Sequence, residues 1–478
     1  MAQFSKSNLT SGALKALGIF GGVQMITIIC SIIRTKLIAV WIGAVGVGLF
    51  GIYNSAIELL SIIFHMGIRD SAVRDIASSP QSSISKLMII VRRWVLIFGI
   101  IGLIITIAIS PLLSNLTFGD FNHTYAFIAI AIIILLSSIQ NGELAILQGT
   151  QRLSKLAKAS IWGVIAGVII SAPMFYFGGI NSVVPALLVF SVITTLAILS
   201  QRAKIEKPHP QVTLQETISK GKSFITLGIF LTISLIVNNL VSFLFITYLN
   251  HVGDTSIVGH FQAGTTLVNK YMGLIFTAIV MEYYPRLSQV SNSQKRTSTF
   301  VSHEMSILLW ILLPVIAIFI AASQPIINIL YSNEFEVILP FVVWAVVGTV
   351  FRAISWCMSF VILARGDGKI FLITETASAI TYITLYIIAY NHWGLDGLGI
   401  AYMAWYIIYT IIIGIVYKYR YNLSIGKGIK RLATLTTIMS IASVVGYLYC
   451  GWYIPAALGL IFTPIALRRI FRKKKGSK

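Results

Sequence analysis

The chain has 478 residues, 57% of them hydrophobic and 11% charged, with a mean hydropathy of +0.87 and a formal net charge of +21. Soluble domains carry roughly a quarter charged residues, so this composition excludes an ordinary soluble protein and predicts a single polytopic membrane bundle. Cys30, Cys357 and Cys450 stand alone in apolar runs, and the seven histidines show no metal-ligand spacing, so neither a disulfide framework nor a metal centre is expected.

Apolar runs long enough to cross a bilayer are expected at fourteen places. They lie at 12–42, 46–67, 94–113, 125–148, 160–178, 184–201, 223–249, 257–284, 304–324, 338–363, 370–390, 396–417, 432–450 and 453–467. The first has a basic approach (Lys6, Lys15) and no small-residue cleavage site, which reads as a retained helix. With the N-terminus inside, the seven outer loops (43–46, 114–124, 178–183, 250–256, 325–337, 391–395 and 451–452) contain no Lys or Arg. The inner segments and adjoining span ends hold 32 of the 36 basic residues, including Arg69 to Arg93, Lys418 to Arg431 and the tail "RRIFRKKKGSK". The positive charge is therefore a topology signal, assisted by anionic lipid headgroups, and argues against nucleic acid as a partner. Both termini are expected in the cytoplasm. With the three native cysteines removed, a cysteine at Ser477 should resist impermeant reagent in intact cells; labelling from outside would refute this topology.

Four cations remain inside spans: Arg34, Lys36, Lys270 and Arg352. Each costs about 2.5–3.5 kcal/mol at a span centre on insertion scales, so each needs a partner or a wet cavity. Arg34 and Lys36 lie in the outer part of span one. In span two, Gly51, Asn54, Glu58, Ser61 and His65 recur at helical spacing on one face. Ser234, Asn238 and Ser242 do so in span seven, Gln262, Thr266, Lys270, Gly273 and Thr277 in span eight, and Gly348, Arg352, Ser355 and Ser359 in span ten. These stripes predict a central cavity with a cationic balance, set mainly against Glu58, and hence an anionic cargo such as a phosphate or pyrophosphate. The substrate-binding candidates are Arg34, Lys36, Lys270, Arg352, Asn54, Asn238, Gln262 and Thr266, with Glu58 as a coupling or pairing carboxylate. The competing reading pairs Lys270 with Glu58 as a helix lock, and lets Lys36 snorkel to the interface. Glu143, Glu282 and Glu375 are expected at the cytoplasmic interface.

Weak echoes run through the chain. "LGIF" opens spans one and seven (Leu17–Phe20, Leu227–Phe230), Gly48/Phe50 matches Gly259/Phe261, and "LQGTQRL" (Leu147–Leu153) is answered by "ARGDGKI" (Ala364–Ile370). The six-span offset predicts two parallel repeats about an axis along the membrane normal. The expected lobes are 1–203 and 223–420, joined by a cytoplasmic linker at 204–222. Residues 421–478 supply two extra helices and a basic tail. "GAVGVGLFG" looks like a nucleotide-binding glycine pattern, but it caps a hairpin between spans with no strand before it.

The stretch "SIIRTKLIAVWIGAVGVGLFGIYNSAIELLSIIFHMGIRDSAVRDIAS" (Ser31–Ser78), with the Lys270 hairpin and the "ARGDGK" turn, resembles the polysaccharide-biosynthesis flippases, the O-antigen-type exporters of the MOP superfamily. The resemblance implies an all-α MATE-like fold and alternating access. It also implies translocation of an undecaprenyl-pyrophosphate-linked oligosaccharide across a bacterial inner membrane, with Arg34 and Lys270 at places where lipid II flippases use cavity cations. A glycan polymerase is a partner the resemblance allows, and the coupling ion, proton or sodium, is left open. No cofactor is expected. A MATE-type drug or metabolite exporter is the alternative, although organic-cation antiporters favour carboxylates in the cavity. A polytopic polymerase or glycosyltransferase is disfavoured by short outer loops and the absence of a DxD pair.

Overall fold

The computed structural model describes the backbone of residues 6–475 apart from 66, 204, 206–211, 214 and 218–228; within the helices, the side chains of 6–20, 81, 229, 277–278, 280–282, 285 and 471–475 lie outside the described set. Both "LGIF" motifs in most of their atoms, most of the linker 204–222, the end of the basic tail, and the side chains of Thr277 and Glu282 therefore lie outside the described residues.

All regular structure among the described residues is helical, which satisfies backbone N–H and C=O groups within each segment where lipid offers them no partner. The helices are α1 (Lys6–Trp41), α2 (Gly43–His65), α3 (Ile68–Ser78), α4 (Gln81–Phe118), α5 (Thr124–Gly149), α6 (Leu153–Gly178), α7 (Val183–Ser200) and α8 (Ile229–Val252). They continue with α9 (Thr255–Thr266), a π-turn (Leu267–Tyr271), α10 (Gly273–Val290), α11 (Gln294–Ala321), α12 (Ser323–Leu330), α13 (Leu339–Ala364), α14 (Gly368–Ile415), α15 (Lys427–Cys450) and α16 (Tyr453–Lys475).

Eleven stretches among the described residues are long and apolar enough to cross a membrane, against the fourteen spans expected. Leu153–Ser200 covers the fifth and sixth expected spans, divided by a 3₁₀ turn at Gly179–Ser182. Gly368–Arg420 covers the eleventh and twelfth, broken at Gly394 with φ 59° and ψ −144°. The eighth is helical but carries the π-turn at its centre and is not among the eleven.

Contacts divide the chain into two units, Met1–Gly259 and His260–Lys478. In the first, α4 pairs with α5, α6 with α7, and α1 lies on α6, while α8 packs on α2 and α4. Gly43, at φ 80°, makes the tight turn between α1 and α2 that a side chain would strain. The start of α9 then crosses α2 backbone to backbone. A Cβ at Gly48 would fall 1.8 Å from the Thr255 carbonyl oxygen, and one at Gly259 would fall 2.0 Å from that of Ala44. The two glycines matched in the sequence thus meet at one small-residue crossing.

The loop between α4 and α5 is tied down by aromatic contact. His123 stacks on Phe118 at 3.7 Å, and its Nδ1 lies 2.8 Å from the Tyr53 hydroxyl. Burial lowers the His123 pKa, with the nearby Asp120 opposing that shift.

One end of this unit is closed by an apolar cluster from α3, α4 and α5 that takes in Ala203 and Val212. Polar bonds clamp the same segment. Glu143, only 3% exposed, receives Arg92 Nε (2.7 Å), Arg92 Nη2 (2.9 Å) and Arg202 Nε (2.8 Å). Arg92 Nη2 also donates to Ala203 O, Arg93 Nη1 to Val212 O and Thr217 Oγ1, and Trp94 Nε1 to Thr217 O. Glu143 is therefore a buried ion-pair centre rather than the interfacial residue its sequence position suggests.

In the second unit α13 pairs closely with α14, where a Cβ at Gly399 would lie 2.4 Å from the Phe341 carbonyl oxygen. The two last helices, α15 and α16, pack on α11 and on each other.

Candidate functional site

In the first unit, α2, α3, α5 and α8 enclose a cavity of about 640 Å³ whose polar lining includes Glu58, Ser61, His65, Asp70, Arg74 and Asn141. Asn54 Nδ2 donates to Glu58 Oε1 at 3.1 Å, one helical turn away, and Glu58 itself is exposed. Ser137 links the stripe to α5: its hydroxyl lies 3.4 Å from Ser61 Oγ and 3.4 Å from His65 Nε2, while Asn141 Nδ2 lies 3.3 Å from His65 Nδ1. Glu58, Ser61 and His65 thus line this cavity of the first unit. The local charge is not cationic, because Glu58 and Asp70 stand against Arg74, which is bound to Asp75 at 2.6 Å. From α8, Asn239 joins this lining while Asn238 is half-buried beside it. Ser234 turns inward, 2% exposed, and bonds to the carbonyl of Phe230.

Arg34 lines a different cavity, of about 440 Å³, together with Arg69, Gln140, Ser31, Thr27 and Thr194. Its guanidinium carbon lies 4.8 Å from the Phe50 ring centre and 4.5 Å from that of Phe190, a cation–π sandwich. Its Nε has no hydrogen-bond partner among the described residues. The structure therefore separates Arg34 from Glu58 at the level of cavities. Lys36, two residues on, is half-buried.

In the second unit the long helix carrying the eighth stripe is interrupted. Met272 N bonds to Leu267 O, closing an i→i+5 ring, and this π-turn holds Asn269 and Lys270. One-turn π-insertions are frequent at functional sites, and the extra residue shifts the register of the helix beyond them. Gln262 and Thr266 are half-buried, whereas Lys270 is exposed. An ammonium exposed in the middle of an expected span belongs against water, since lipid contact there costs several kcal/mol.

Arg352, on α13, is held by neutral groups. Its Nη1 donates to Asn269 Oδ1 at 2.9 Å and to Tyr402 Oη at 3.3 Å, and Tyr402 Oη donates to the same Asn269 Oδ1 at 3.0 Å. The guanidinium carbon lies 5.1 Å from the Phe276 ring centre and 5.9 Å from that of Tyr406. Among the described residues no carboxylate pairs with Arg352. Its stripe-mates do not share its exposure. Ser355 and Ser359 are buried and bond back to their own helix, and Gly348 is the contact point for Tyr402. Glu375, expected at the interface, accepts the hydroxyl of buried Tyr409.

The sequence reading missed Asn269, Tyr402, Phe276 and Tyr406. A signal for Asn269 existed: 262, 266, 269 and 273 follow the i, i+4, i+7, i+11 face as well as the stripe through Lys270 does.

The lipid III flippase of Escherichia coli (strain K12) is 22% identical over 395 residues, spanning 78% of this chain and 90% of that protein. The structure of the lipid II flippase MurJ in an inward closed conformation superposes with a TM-score of 0.71 at 16% identity, covering 95% of this chain and 99% of that one. An inward-facing multidrug resistance MATE family transporter of the MOP superfamily gives 0.68 at 16% identity, covering 85% and 96%. At these identities the solved structures carry the fold, an all-helical MATE-like bundle. A family profile described as polysaccharide biosynthesis protein matches residues 46–340, more than half of the chain, and the chain belongs to that family.

Proposed function

We propose that this membrane protein is a flippase, not an enzyme, that carries an undecaprenyl-pyrophosphate-linked oligosaccharide across a bacterial inner membrane by alternating access. The observation that carries the reading is Arg352. It is a permanent cation within a span, held among the described residues by an amide, a hydroxyl and two aromatic rings. Such a charge remains costly until an anion arrives, which suits a site that must bind a pyrophosphate and then release it. Arg34, whose guanidinium lies over the rings of Phe50 and Phe190, has the same character. Membership of the polysaccharide biosynthesis family and the likeness to a lipid III flippase agree with it. The proposed site residues are Arg34, Lys36, Lys270, Arg352, Asn54, Asn238, Gln262 and Thr266, with Glu58 coupling or pairing. Both termini lie in the cytoplasm, and a glycan polymerase is the proposed receiver of the cargo.

Deleting the gene should lower surface glycan and pile up lipid-linked precursor on the inner leaflet. Normal precursor turnover and normal surface glycan, in a strain with no redundant exporter, would count against the flippase. A second reading, a MATE-type exporter of organic cations, is favoured by one feature, the carboxylates Glu58 and Asp70 in a single cavity. It requires that the deletion sensitise cells to cationic drugs while leaving glycan export intact.

A further inference from the structure

The two nitrogens of the Arg352 guanidinium other than Nη1 donate no hydrogen bond to any described residue. Nη1 is fully engaged by Asn269 Oδ1 and Tyr402 Oη. At Gly273, the first residue of α10, an added Cβ would come to 4.0 Å from Nη2, so position 273 sets no side chain of its own against that nitrogen. The rings of Phe276 and Tyr406 border the guanidinium. A guanidinium has five N–H donors in a rigid fork, and an anion is best bound through a whole edge of that fork. Fixing one nitrogen therefore orients the Nε–Nη2 edge.

The identity of the fixing group is the second point. A carboxylate at position 269 would satisfy the same donors more strongly and would neutralise the charge. An amide oxygen orients the fork while leaving its full positive charge available. Asn269 lies on the π-turn beside Lys270, so the same local backbone sets both cations.

We propose that Asn269, supported by Tyr402, is a positioning residue for anion recognition: its neutral oxygen aims the Arg352 fork at a phosphate or pyrophosphate without cancelling the charge. The inference rests on the anionic-cargo reading above and extends it to residues that touch Arg352 rather than the cargo.

The test uses full-length protein in detergent, with inorganic pyrophosphate as the probe. Its Kd is read from thermal-shift titrations beside the ligand-free Tm of each variant. Asn269→Asp should hold or raise the ligand-free Tm, because it adds an ion pair to a half-buried cation, yet weaken pyrophosphate by more than about tenfold. Tyr402→Phe removes one supporting hydroxyl, keeps the charge, and should weaken binding by a smaller factor at unchanged Tm. Gly273→Val should weaken binding by covering Nη2. Wild-type affinity in Asn269→Asp would overturn the proposal. So would equal losses in Asn269→Asp and Tyr402→Phe, since neutrality at position 269 would then be irrelevant. A wild-type protein that binds no pyrophosphate while Arg352→Ala also leaves glycan export untouched would remove the anion reading itself, and this inference with it.

Discussion

Lys270→Ala should insert normally and keep its melting temperature, yet lose export. The side chain is exposed on the π-turn, so truncation opens no core cavity and removes little packing. On the proposed cargo-binding role, what disappears is a charge that an anionic cargo would meet. A charge-assisted hydrogen bond is worth about 1.5–3 kcal/mol, which corresponds to a fall in export of roughly 10- to 150-fold. Lys270→Arg should retain part of the activity, because charge survives while the compact ammonium becomes a fork. The structural alternative, a lock between Lys270 and Glu58, makes the opposite forecast. Lys270→Ala would then lower the melting temperature by stranding a carboxylate, and Lys270→Ala with Glu58→Ala would recover it. The deciding measurement is export per folded protein in the two single variants and the double. Full export by well-folded Lys270→Ala would remove the cationic cargo site at its central residue.

The helical fold was legible because lipid leaves the backbone few choices and apolar runs mark where a helix must cross it. Side-chain direction was less legible, for three reasons. Helical periodicity assumes 3.6 residues per turn, and the π-turn at Leu267–Tyr271 breaks that count where it mattered most, beside Lys270. Serines at helical spacing look like a wet face, yet Ser234, Ser355 and Ser359 satisfy themselves on their own helices and stay buried. Partners distant in sequence are invisible to periodicity. Asn269, Arg352 and Tyr402 come from three separate helical segments, and nothing in their spacing announces that one oxygen serves two donors. Arg34 was legible as a cation needing company, but its company is two aromatic faces rather than a carboxylate.

The same blindness to distant partners hid Glu143, and here the expected effect is on stability. Its carboxylate accepts three bonds from Arg92 and Arg202, and Arg92 is 14% exposed while Arg202 is 49% exposed. Removing the acid should strand the Arg92 guanidinium in a buried site, a loss of about 3–5 kcal/mol. For a unit of this size that corresponds to a melting temperature lower by roughly 10 °C. Arg202→Ala should cost only about 0.5–1 kcal/mol, because its half-exposed charge stays hydrated when the pair is broken. A double Arg92→Ala, Glu143→Ala variant should recover part of the loss, since it removes the stranded charge as well as its partner. Recovery will be incomplete, because Arg92 also binds Ala203 and so helps tie the segment after α7 to α4. Limited proteolysis should then cut between Arg202 and Thr217 faster in Glu143→Ala than in the parent. A Glu143→Ala protein with the parent melting temperature and proteolytic rate would show that the apolar cluster around Ala203 and Val212 holds the segment by itself.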